Sequence, residues 1–556
     1  MQTRHRRLFF SESGLRTSRV IVGVAGLIAG SWVAPRTGRA EEASLDLARQ
    51  RGAVYAECGR CALGILSGWL AEKVDPKTHL YSRDGQWNYH NEAADHYSSL
   101  VLMAHYLEPA LIRPGAPLHR TLQSSVQLCS TPSGLPTHYD LKTGTQGEVA
   151  SLTNLAEWLR DGLIRLAEVL GHDNDWSREM ERLVDAMLSE SARQGGLRHA
   201  ISDEEGQGNM LQTLARLYAM TGKEAYLTAA EGLADAVLLG DQPKRPFSSF
   251  RDHGCELVPG LGELFALECK LGRPKAKAYR APLRQLLDAI LEGGAHPVSG
   301  LFCECKPDAD GQKSWQQPPD TWGYVLFTYE NYDRGTGEGR YRAAVEKPLR
   351  WLLEHRSQYA ELRGNLWPRS RVSDDWSDSY ESMIVLWTRY PEVGDAAAWL
   401  DWATLQHVHR RPKSDKYPYG PYTGGHLDGS AGRTLCMHMM LQSQGVRASP
   451  FGQGVELGAV RRGEELLLAL RAEQAWEGRL VFDGPRTEYP TVTIDWARIN
   501  EMPQWFVVRP RHKYRVQIDD AVPTVRAGSE LLAGLPLRVD PQAPRTVRVA
   551  RQSISQ

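Results

Sequence analysis

The sequence predicts a mainly α protein that ends in a small antiparallel β-sandwich. Between about residues 41 and 448, apolar residues recur at three- and four-residue spacing in one segment after another, which is the period of an amphipathic helix. Several of these segments come in pairs joined by a short glycine-containing turn, as in antiparallel helical hairpins. After Pro450, short apolar or alternating runs are separated by Gly, Pro and charged residues, a pattern typical of strands.

We interpret residues 1–40 as an export signal of the twin-arginine type. Arg6-Arg7 precedes an apolar core at Val20–Ala34, which is too short and glycine-rich for a comfortable membrane span, and Gly38-Arg39-Ala40 offers a cleavage site. We therefore expect a periplasmic or secreted protein with no stable membrane insertion once the signal is removed. A general-secretory signal and an uncleaved anchor are the alternatives.

Charge argues against a nucleic-acid partner. The chain has 66 Lys and Arg against 67 Asp and Glu, a net charge of -1. Removing residues 1–40 takes away seven Arg and one Glu, which leaves -7, whereas nucleic-acid-binding domains are usually basic. An acidic exported chain with 16 Trp and 21 Tyr suits a carbohydrate partner, and local arginines could still hold an acidic one.

Cysteine spacing does not favour a metal. Cys58-Gly-Arg-Cys61 and Cys303-Glu-Cys305 could together offer four thiolates to zinc. The first pair lies in a helical pattern, however, and neither pair has the flanking residues of a zinc ribbon. We expect buried free thiols or disulfides, with no metal and no cofactor.

Fourteen helical segments are predicted before residue 448, and the stretch Phe250–Gly272 shows their common layout. A polar cluster at its start leads into an amphipathic helix that ends at Gly272 before Pro274. The predicted helices are Ala43–Val74, Ala93–Tyr106, Leu118–Leu128, Asn154–Leu170, Trp176–Ser191, Asn209–Met220, Glu224–Leu239, Leu257–Leu271, Lys277–Leu291, Tyr324–Tyr332, Tyr341–Glu354, Tyr380–Tyr390, Ala396–His407 and Gly429–Gln444.

The last hundred residues are predicted to form strands. Trp476, Trp496 and Trp505 are expected to fill the core of this part or to bind it to the helices. The predicted strands are Val455–Val460, Glu465–Arg471, Gly478–Phe482, Thr491–Ile494, Trp505–Val508 and Tyr514–Ile518.

This row of hairpins followed by a β-domain resembles the six-hairpin glycosidase superfamily of (α/α)6 toroids, over about residues 41–540. The resemblance implies a toroid catalytic domain at 41–448, a sandwich domain at 449–556 and activity on polysaccharides. Trp476–Val508 is similar to the sandwiches of toroidal arabinofuranosidase-like enzymes, and the Cys-Glu within His253–Glu256 echoes their thiolate-metal site. The adjacent Cys-Cys pair of that group is absent, so its cysteine nucleophile is not carried over.

The inner helices of a toroid present one end to a common cleft, so the polar loops between helices are the candidate site. The first loop offers a Trp face for a sugar ring and planar polar groups for its hydroxyls. A surface loop with a helix cap is the alternative. Its candidate substrate-binding residues are Trp87, Asn88, His90, Asn91 and Asp95.

The second loop carries Arg251, Asp252, His253 and Glu256. Arg251 could hold a uronate carboxylate through two parallel hydrogen bonds. Asp252 or Glu256 could act as a general acid or base, with His253 orienting it. Alternatively, these charges cap the following helix and meet solvent.

The third and fourth loops add aromatic and acidic groups. Trp322 and Tyr324 could form a stacking wall, although large aromatics commonly pack in the core. Asp375 and Asp378 belong to a run of four carboxylates in eight residues that ends near Tyr380. A calcium site is an alternative there, but the spacing is not that of an EF-hand.

The fifth loop, Lys416–Arg433, is rich in Tyr and Gly and includes His426. It could cover a cleft, with His426 and Arg433 contacting substrate, or it could be a long connection. The sequence has no G-x-S-x-G elbow, P-loop or H-E-x-x-H motif.

We therefore expect hydrolysis of glycosidic bonds by two carboxylates, in a poly- or oligosaccharide that contains uronic acid. Asp252 or Glu256 would face Asp375 or Asp378, at about 6.5–9.5 Å for an inverting enzyme and about 5 Å for a retaining one.

Two alternatives stay open. One is a polysaccharide lyase that acts by β-elimination, with Asn91, Arg251, His253 and Tyr380 in the neutralising and proton-abstracting roles. The other is a glycan-binding protein without activity.

Overall fold

The computed structural model describes residues 36–240, 249–250, 252–307, 313–356, 374–409, 429–452 and 454–552. The chain divides into two units, Met1–Ala43 and Ser44–Gln556. Helix α1 (Arg36–Glu72) begins in the first unit, and the architecture below belongs to the second. Among the described helices, none is long and apolar enough to cross a membrane. The export signal stays a prediction, because it lies almost wholly outside the described residues.

The predicted mainly α architecture is confirmed. Helices that are buried on most sides alternate along the chain with helices that are buried on one stripe, and we call the first kind inner. Two π-helical turns, Asn91–Tyr97 and Trp158–Ile164, precede α2 and join α4 to α5. The inner helices are α2 (Ser98–Leu107), α4 (Leu152–Glu157), α5 (Arg165–Leu170), α8 (Glu204–Thr221), α10 (Leu257–Leu271), α12 (Tyr324–Thr336), α14 (Asp374–Arg389) and α16 (Gly429–Gln442).

The outer helices follow their inner partners after short turns. α11 buries one stripe at three- and four-residue spacing, from Tyr279 to Ile290, whereas α8 buries every residue from Gly206 to Met220, as the outer and inner layers of a ring require. The outer helices are α3 (Pro117–Leu128), α6 (Asp175–Arg193), α9 (Glu224–Leu238), α11 (Pro274–Gly294), α13 (Arg342–Glu354) and α15 (Ala397–His409), and a short helix α7 (Leu197–Ala200) follows α6.

Contacts between successive inner helices close a ring. The π-helical turn before α2 contacts the turn after α4, α4 contacts α8, α8 contacts α10, and α10 contacts α12. The hydroxyl of Tyr324 in α12 donates to Glu381 in α14. α14 contacts α16, and α16 contacts α2. The helices therefore form a toroid, as the sequence predicted.

Glycines let α8 and α10 approach closely. A Cβ at Gly208 would overlap the backbone carbonyl of Glu256, and a Cβ at Gly260 would lie 2.8 Å from the carbonyl oxygen of Gly208. The contact therefore has no room for larger side chains. It fixes the start of α10, and with it Glu256, against the middle of the ring.

The C-terminal part is a sandwich of two antiparallel sheets with apolar inner faces. A five-stranded sheet has the order β11-β10-β13-β8-β7, and a three-stranded sheet has the order β12-β9-β6. Their strands are β6 (Val446–Ser449), β7 (Val455–Arg462), β8 (Glu465–Ala472), β9 (Trp476–Phe482), β10 (Lys513–Ile518), β11 (Thr524–Ala527), β12 (Leu535–Val539) and β13 (Arg545–Arg551), with helix α17 (Gly528–Ala533) between β11 and β12.

Two small sheets lie in loops between helices of the toroid. β1 (Gln86–Trp87), β2 (Thr137–Asp140) and β3 (Thr145–Val149) pair in that order, and β4 (Cys305–Pro307) pairs with β5 (Lys313–Trp315). All eight cysteines carry free thiols, one of the two states that the sequence predicted.

Two strand predictions were wrong. Thr491–Ile494 and Trp505–Val508 lie in the long connection between β9 and β10, where the structure shows only isolated bridges. Their apolar residues alternate because the connection packs against the toroid and the sandwich, not because it pairs in a sheet.

The middle of this connection enters the toroid. Residues 496–502, which we call the plug, are all buried. Arg498 pairs with Glu168 at 2.9 Å, and Glu501 pairs with Arg389 at 2.9 Å. The backbone of Ala497 exchanges two hydrogen bonds of 2.9 Å with the side-chain amide of Asn331. The plug thus reaches the inner helices from their C-terminal halves and fills the ring from that side.

Candidate active site

Charged side chains from the N-terminal halves of the inner helices meet at the axis of the toroid. Carboxylates are favoured there because helix N-termini carry partial positive charge. We call the cluster the polar hub. Its members are Asp95, Glu157, Arg160, Asp161, Arg165, Asn209, Glu256, Tyr324, Asp378, Glu381 and Arg433 from the toroid, and Asn500 from the plug.

One half of the hub is organised by Arg433 in α16. Its Nη2 donates to Asp378 at 2.9 Å, and its Nη1 lies 3.0 Å from Glu381 and 2.6 Å from Oδ1 of Asn500. The hydroxyl of Tyr324 donates to Glu381 at 3.1 Å. Asp378 keeps 18% of its side chain exposed whereas Glu381 keeps none. Asp378 is therefore the carboxyl group of this half that a substrate can reach.

The other half is organised by Arg160. Its guanidinium pairs with Asp161 and with Glu256, and its Nε donates to Asn209 at 2.9 Å. The side-chain amide of Asn500 donates to Asp161 at 2.5 Å. Glu256, with 1% exposure, is a buried partner of Arg160, and its predicted catalytic role stays a prediction.

Asp95, Glu157 and Asp161 form a carboxylate group beside the arginines. One oxygen of each lies within 4.8 Å of the others, and Nδ1 of His90 contacts Glu157. These three are the described residues that could hold a cation, although Asp161 already accepts from Arg160 and Asn500. Asp95 is half-buried, whereas Glu157 and Asp161 are buried.

The carboxyl group of Asp378 holds its proton to near-neutral pH. Burial raises its pKa to about 7, against the attraction of Arg433 and with a contribution from the neighbouring carboxylates of Asp320 and Glu381. A carboxylic acid that is protonated near pH 7 and still accessible is suited to donate a proton during a reaction.

The other shifted groups show how strongly the hub is desolvated. Burial and the nearby charge of Arg433 lower the pKa of Arg165 to about 10. Burial opposes the charge of Arg160, but the carboxylates of Asp161 and Glu256 outweigh it and raise the pKa of that guanidinium. Burial, with Asp378 and Glu381, raises the pKa of Tyr324 well above its usual value. The hydroxyl of Tyr324 therefore stays protonated near neutral pH and does not act as a base.

Six residues predicted from the sequence lie in or beside the hub: His90, Asp95, Glu256, Tyr324, Asp378 and Arg433. They come from five separate inner helices or their leading turns. The prediction that the polar loops of successive hairpins face one another therefore holds for these positions.

Other predicted residues support the walls. Trp87 and Trp322 are fully buried, so their ring faces pack against protein. Tyr380 is also fully buried, and its hydroxyl is 2.8 Å from Nδ1 of His438, away from the hub. The side chain of Asn88 accepts from the backbone N–H of Asn91 at 2.9 Å, so Asn88 caps the π-helical turn that leads to Asp95.

The remaining predictions fall outside the described residues. They concern Arg251 and His426, and the side chains of Asp252, His253 and Asp375. Their assignments as catalytic or substrate-binding residues stay predictions, as does the expected separation between two catalytic carboxylates.

Sequence reasoning missed the residues that connect the two halves of the hub. Glu157, Arg160 and Asp161 lie in NLAEWLRDGLIRLAEVLG, a segment predicted as an amphipathic helix. The signal was charge at three- and four-residue spacing inside a helix that has too few polar residues to be a surface helix. Asn500 had no comparable signal, because its role depends on where the plug lies in the toroid.

Comparison with known proteins gives partial similarities only. No family model and no curated protein match the chain. A family GH76 α-1,6-mannanase of Salegentibacter sp. HEL1_6 matches with TM-score 0.38 and 12% identity, over 57% of this chain and 95% of that one. A GH127 β-arabinofuranosidase matches with TM-score 0.31 and 12% identity, over 93% of this chain and 78% of that one. A GH127 β-L-arabinofuranosidase from Geobacillus stearothermophilus T6 matches with TM-score 0.25 and 9% identity, over 74% of each chain.

Proposed function

We propose that this protein is a glycoside hydrolase and that Asp378 is its general acid. The observation that carries the proposal is the partly accessible carboxyl group of Asp378, whose pKa burial raises to about 7, connected through Arg433 and Asn500 to a second group of carboxylates. Hydrolysis of a glycosidic bond needs this pairing: one carboxylic acid to protonate the leaving oxygen and one carboxylate for the anomeric carbon or its attacking water.

In this mechanism Asp378 donates its proton to the glycosidic oxygen as the bond from that oxygen to the anomeric carbon breaks. The departing sugar leaves as an alcohol. Water adds to the anomeric carbon and gives its proton to a carboxylate on the opposite side. We assign that carboxylate to Asp95, because it is the most exposed of the three carboxylates in its group.

The hub stabilises positive charge, which develops at the anomeric carbon in the transition state. It contains more carboxyl groups than guanidinium groups, and the excess remains when Asp378 is protonated. The carboxyl groups are Asp95, Glu157, Asp161, Glu256, Asp378 and Glu381, and the guanidinium groups are Arg160, Arg165 and Arg433.

The same balance favours a neutral sugar at the reacting position. Within the described residues of the hub, Arg160 and Arg433 already pair with protein carboxylates, and Arg165 lies among hydroxyl groups and Asn500. A uronate there would meet repulsion from the carboxylates, which Arg160 and Arg433 already offset in part through their own pairs, and Arg165 is only 3% exposed. We still propose, from the sequence, that Arg251 holds a uronate elsewhere in the substrate. We also propose that the enzyme is exported.

The lyase alternative needs a tyrosine or histidine that can accept a proton. The raised pKa of Tyr324 and the burial of Tyr380 against His438 argue against the two tyrosines of the described site. A lyase also makes an unsaturated product that absorbs ultraviolet light, so product analysis separates the two reactions.

The test is incubation of residues 41–556 with panels of neutral and uronic acid-containing glycans, while reducing ends and ultraviolet absorbance are followed together. We expect reducing ends without absorbance, and loss of at least about a hundredfold in rate for Asp378→Asn and for Asp95→Asn. Glu268→Gln is the matched control, since Glu268 is a buried carboxyl of similar pKa, about 7, roughly 18 Å further along α10 than Glu256. Full activity of Asp378→Asn would refute the assignment, and absorbance that rises with reducing ends would move it to a lyase.

A further inference from the structure

We propose that the C-terminal domain supplies a positioning residue to the hub: Asn500 orients Arg433, and Arg433 in turn positions the general acid, Asp378. This inference rests on the proposed function for the role of Asp378. It assigns to the β-sandwich domain a part in catalysis, because the plug that carries Asn500 belongs to the connection between two of its strands.

Asn500 binds toroid groups of opposite charge. Its side-chain N–H donates to Asp161 at 2.5 Å, and its Oδ1 accepts from Nη1 of Arg433 at 2.6 Å and faces Nη1 of Arg165 at 3.5 Å. Its backbone N–H donates to Glu381. With 1% exposure, Asn500 makes these bonds with no competition from bulk water. Removal of its side chain therefore takes one hydrogen bond from Arg433 and one from Asp161, which keep only their ion-pair partners.

The backbone at this position narrows the choice of residue. Asn500 has φ of 63°, a left-handed conformation that Gly adopts freely, Asn tolerates and most other residues disfavour. A carboxylate there would pair with the arginines but repel Asp161. An amide is the side chain that donates on one side and accepts on the other.

Arg433 transmits the effect to the acid. Asn500 and Glu381 together hold Nη1, and the planar guanidinium then directs Nη2 at Asp378, 2.9 Å away. Since Arg433 is the charge that limits the rise in the pKa of Asp378, a change at Asn500 alters the pH at which the acid loses its proton. Asn500 does not itself need to touch substrate.

A second contact holds the plug in the toroid and offers a control variant for the experiment. Ala497 is held by Asn331, a fully buried asparagine in α12. Asn331 belongs to the same plug contact, and its side-chain amide bonds to the backbone of Ala497 and not to Asp378, Arg433 or Asp161. Asn331→Ala therefore weakens the contact between the plug and α12 without removing a hydrogen-bond partner of any hub residue.

The experiment compares Asn500→Asp, Asn500→Gly and Asn331→Ala in residues 41–556. The pH at which Asp378 titrates is measured in two ways. One is the alkaline limb of kcat/KM. The other needs no substrate: it is the pH dependence of the unfolding midpoint, taken as the difference from the same protein carrying Asp378→Asn, so that the titration of Glu268 near pH 7 cancels. We expect Asn500→Asp to raise the titration pH of Asp378 by about half a unit or more, because it adds a second negative charge beside the pair of Asp378 and Arg433. Asn500→Gly keeps the backbone conformation and should lower kcat at least about tenfold with a smaller change in KM.

Asn331→Ala should lower the unfolding midpoint while kcat and the titration of Asp378 stay at wild-type values. Equal pH profiles for Asn500→Asp and wild type, or a wild-type kcat in Asn500→Gly, would overturn the proposal. So would a loss of kcat in Asn331→Ala as large as that in Asn500→Gly, since the role would then be structural. If no substrate is hydrolysed, the proposed function fails, but the unfolding data still decide whether Asn500 controls the titration of Asp378.

Discussion

Replacing Asp378 with Asn is expected to stabilise the protein at neutral and alkaline pH while it abolishes activity. The side chain of Asp378 is largely buried, with 18% exposed, and burial raises its pKa to about 7, whereas an unfolded chain gives Asp a pKa of about 3.9. Ionisation is therefore harder in the folded state. Asn is close in shape to the protonated acid and never has to ionise.

The sign and size of the change in the free energy of unfolding follow from proton linkage. Between about pH 4 and pH 7 the folded state keeps a proton that the unfolded state has lost, so stability falls as the pH rises through this range. The gap of roughly three pH units, at about 1.4 kcal/mol per unit, corresponds to about 4 kcal/mol. Below about pH 4 both states are protonated and the contribution is present in full. Above about pH 8 it is lost.

The assay is urea denaturation of wild type and Asp378→Asn from pH 4 to pH 9. We expect the two free energies of unfolding to agree within about 1 kcal/mol at pH 4, and the variant to be about 4 kcal/mol more stable at pH 8. Glu268→Gln should show a gain of the same sign, because burial and Glu231 raise the pKa of Glu268 to about 7, but it should keep full activity. A constant difference between Asp378→Asn and wild type across this range would show that Asp378 titrates normally, and the basis for naming it the general acid would be lost.

Three further outcomes are expected. The kcat/KM of the wild type should fall about tenfold per pH unit above an apparent pKa near 7, because Asp378 must carry a proton; a rate that is flat to pH 9 would contradict this. Glu256→Gln should cost about 1–3 kcal/mol in urea denaturation, since it removes one of the two carboxylate partners of the buried Arg160, but less than about tenfold in kcat/KM; a large loss of activity without a loss of stability would give Glu256 a catalytic role. Gly208→Ala should cost about 3 kcal/mol by overpacking α8 against α10, whereas Gly232→Ala, with open space around it, should cost nothing measurable.

The sequence predicted the helices well because their burial is periodic. The predicted Leu257–Leu271 and Glu224–Leu239 match the observed helices to within one residue, since glycines and prolines mark their ends. The strands were harder. Val455–Val460 is a strand, but Thr491–Ile494, with a similar pattern, is not. Alternation reports that one side is buried and does not say whether a sheet or a helical ring buries it.

Only part of the candidate site was predicted, because a local sequence pattern marks some of its residues and not others. Asp378 and Asp95 stand in dense polar loops next to helix starts, where sequence signals are strong. Arg160 and Asp161 stand inside an apolar helix, where each could have been a solvated charge. Asn500 lies in a connection whose course through the toroid depends on contacts hundreds of residues apart, such as its bond to Asp161. No local pattern carries that information.

The buried charges of the hub are themselves an argument for function. A helical ring with a plug of apolar residues would be at least as stable, since burying ion pairs seldom adds stability over packed hydrophobic side chains. Asp378 works against stability at neutral pH, because it is kept where ionisation is unfavourable. Such local costs concentrate at sites where a reaction needs them. The plug makes the same point from the other domain: Asn500 adopts a left-handed conformation in order to bind charges of both signs, a demand that folding alone does not impose.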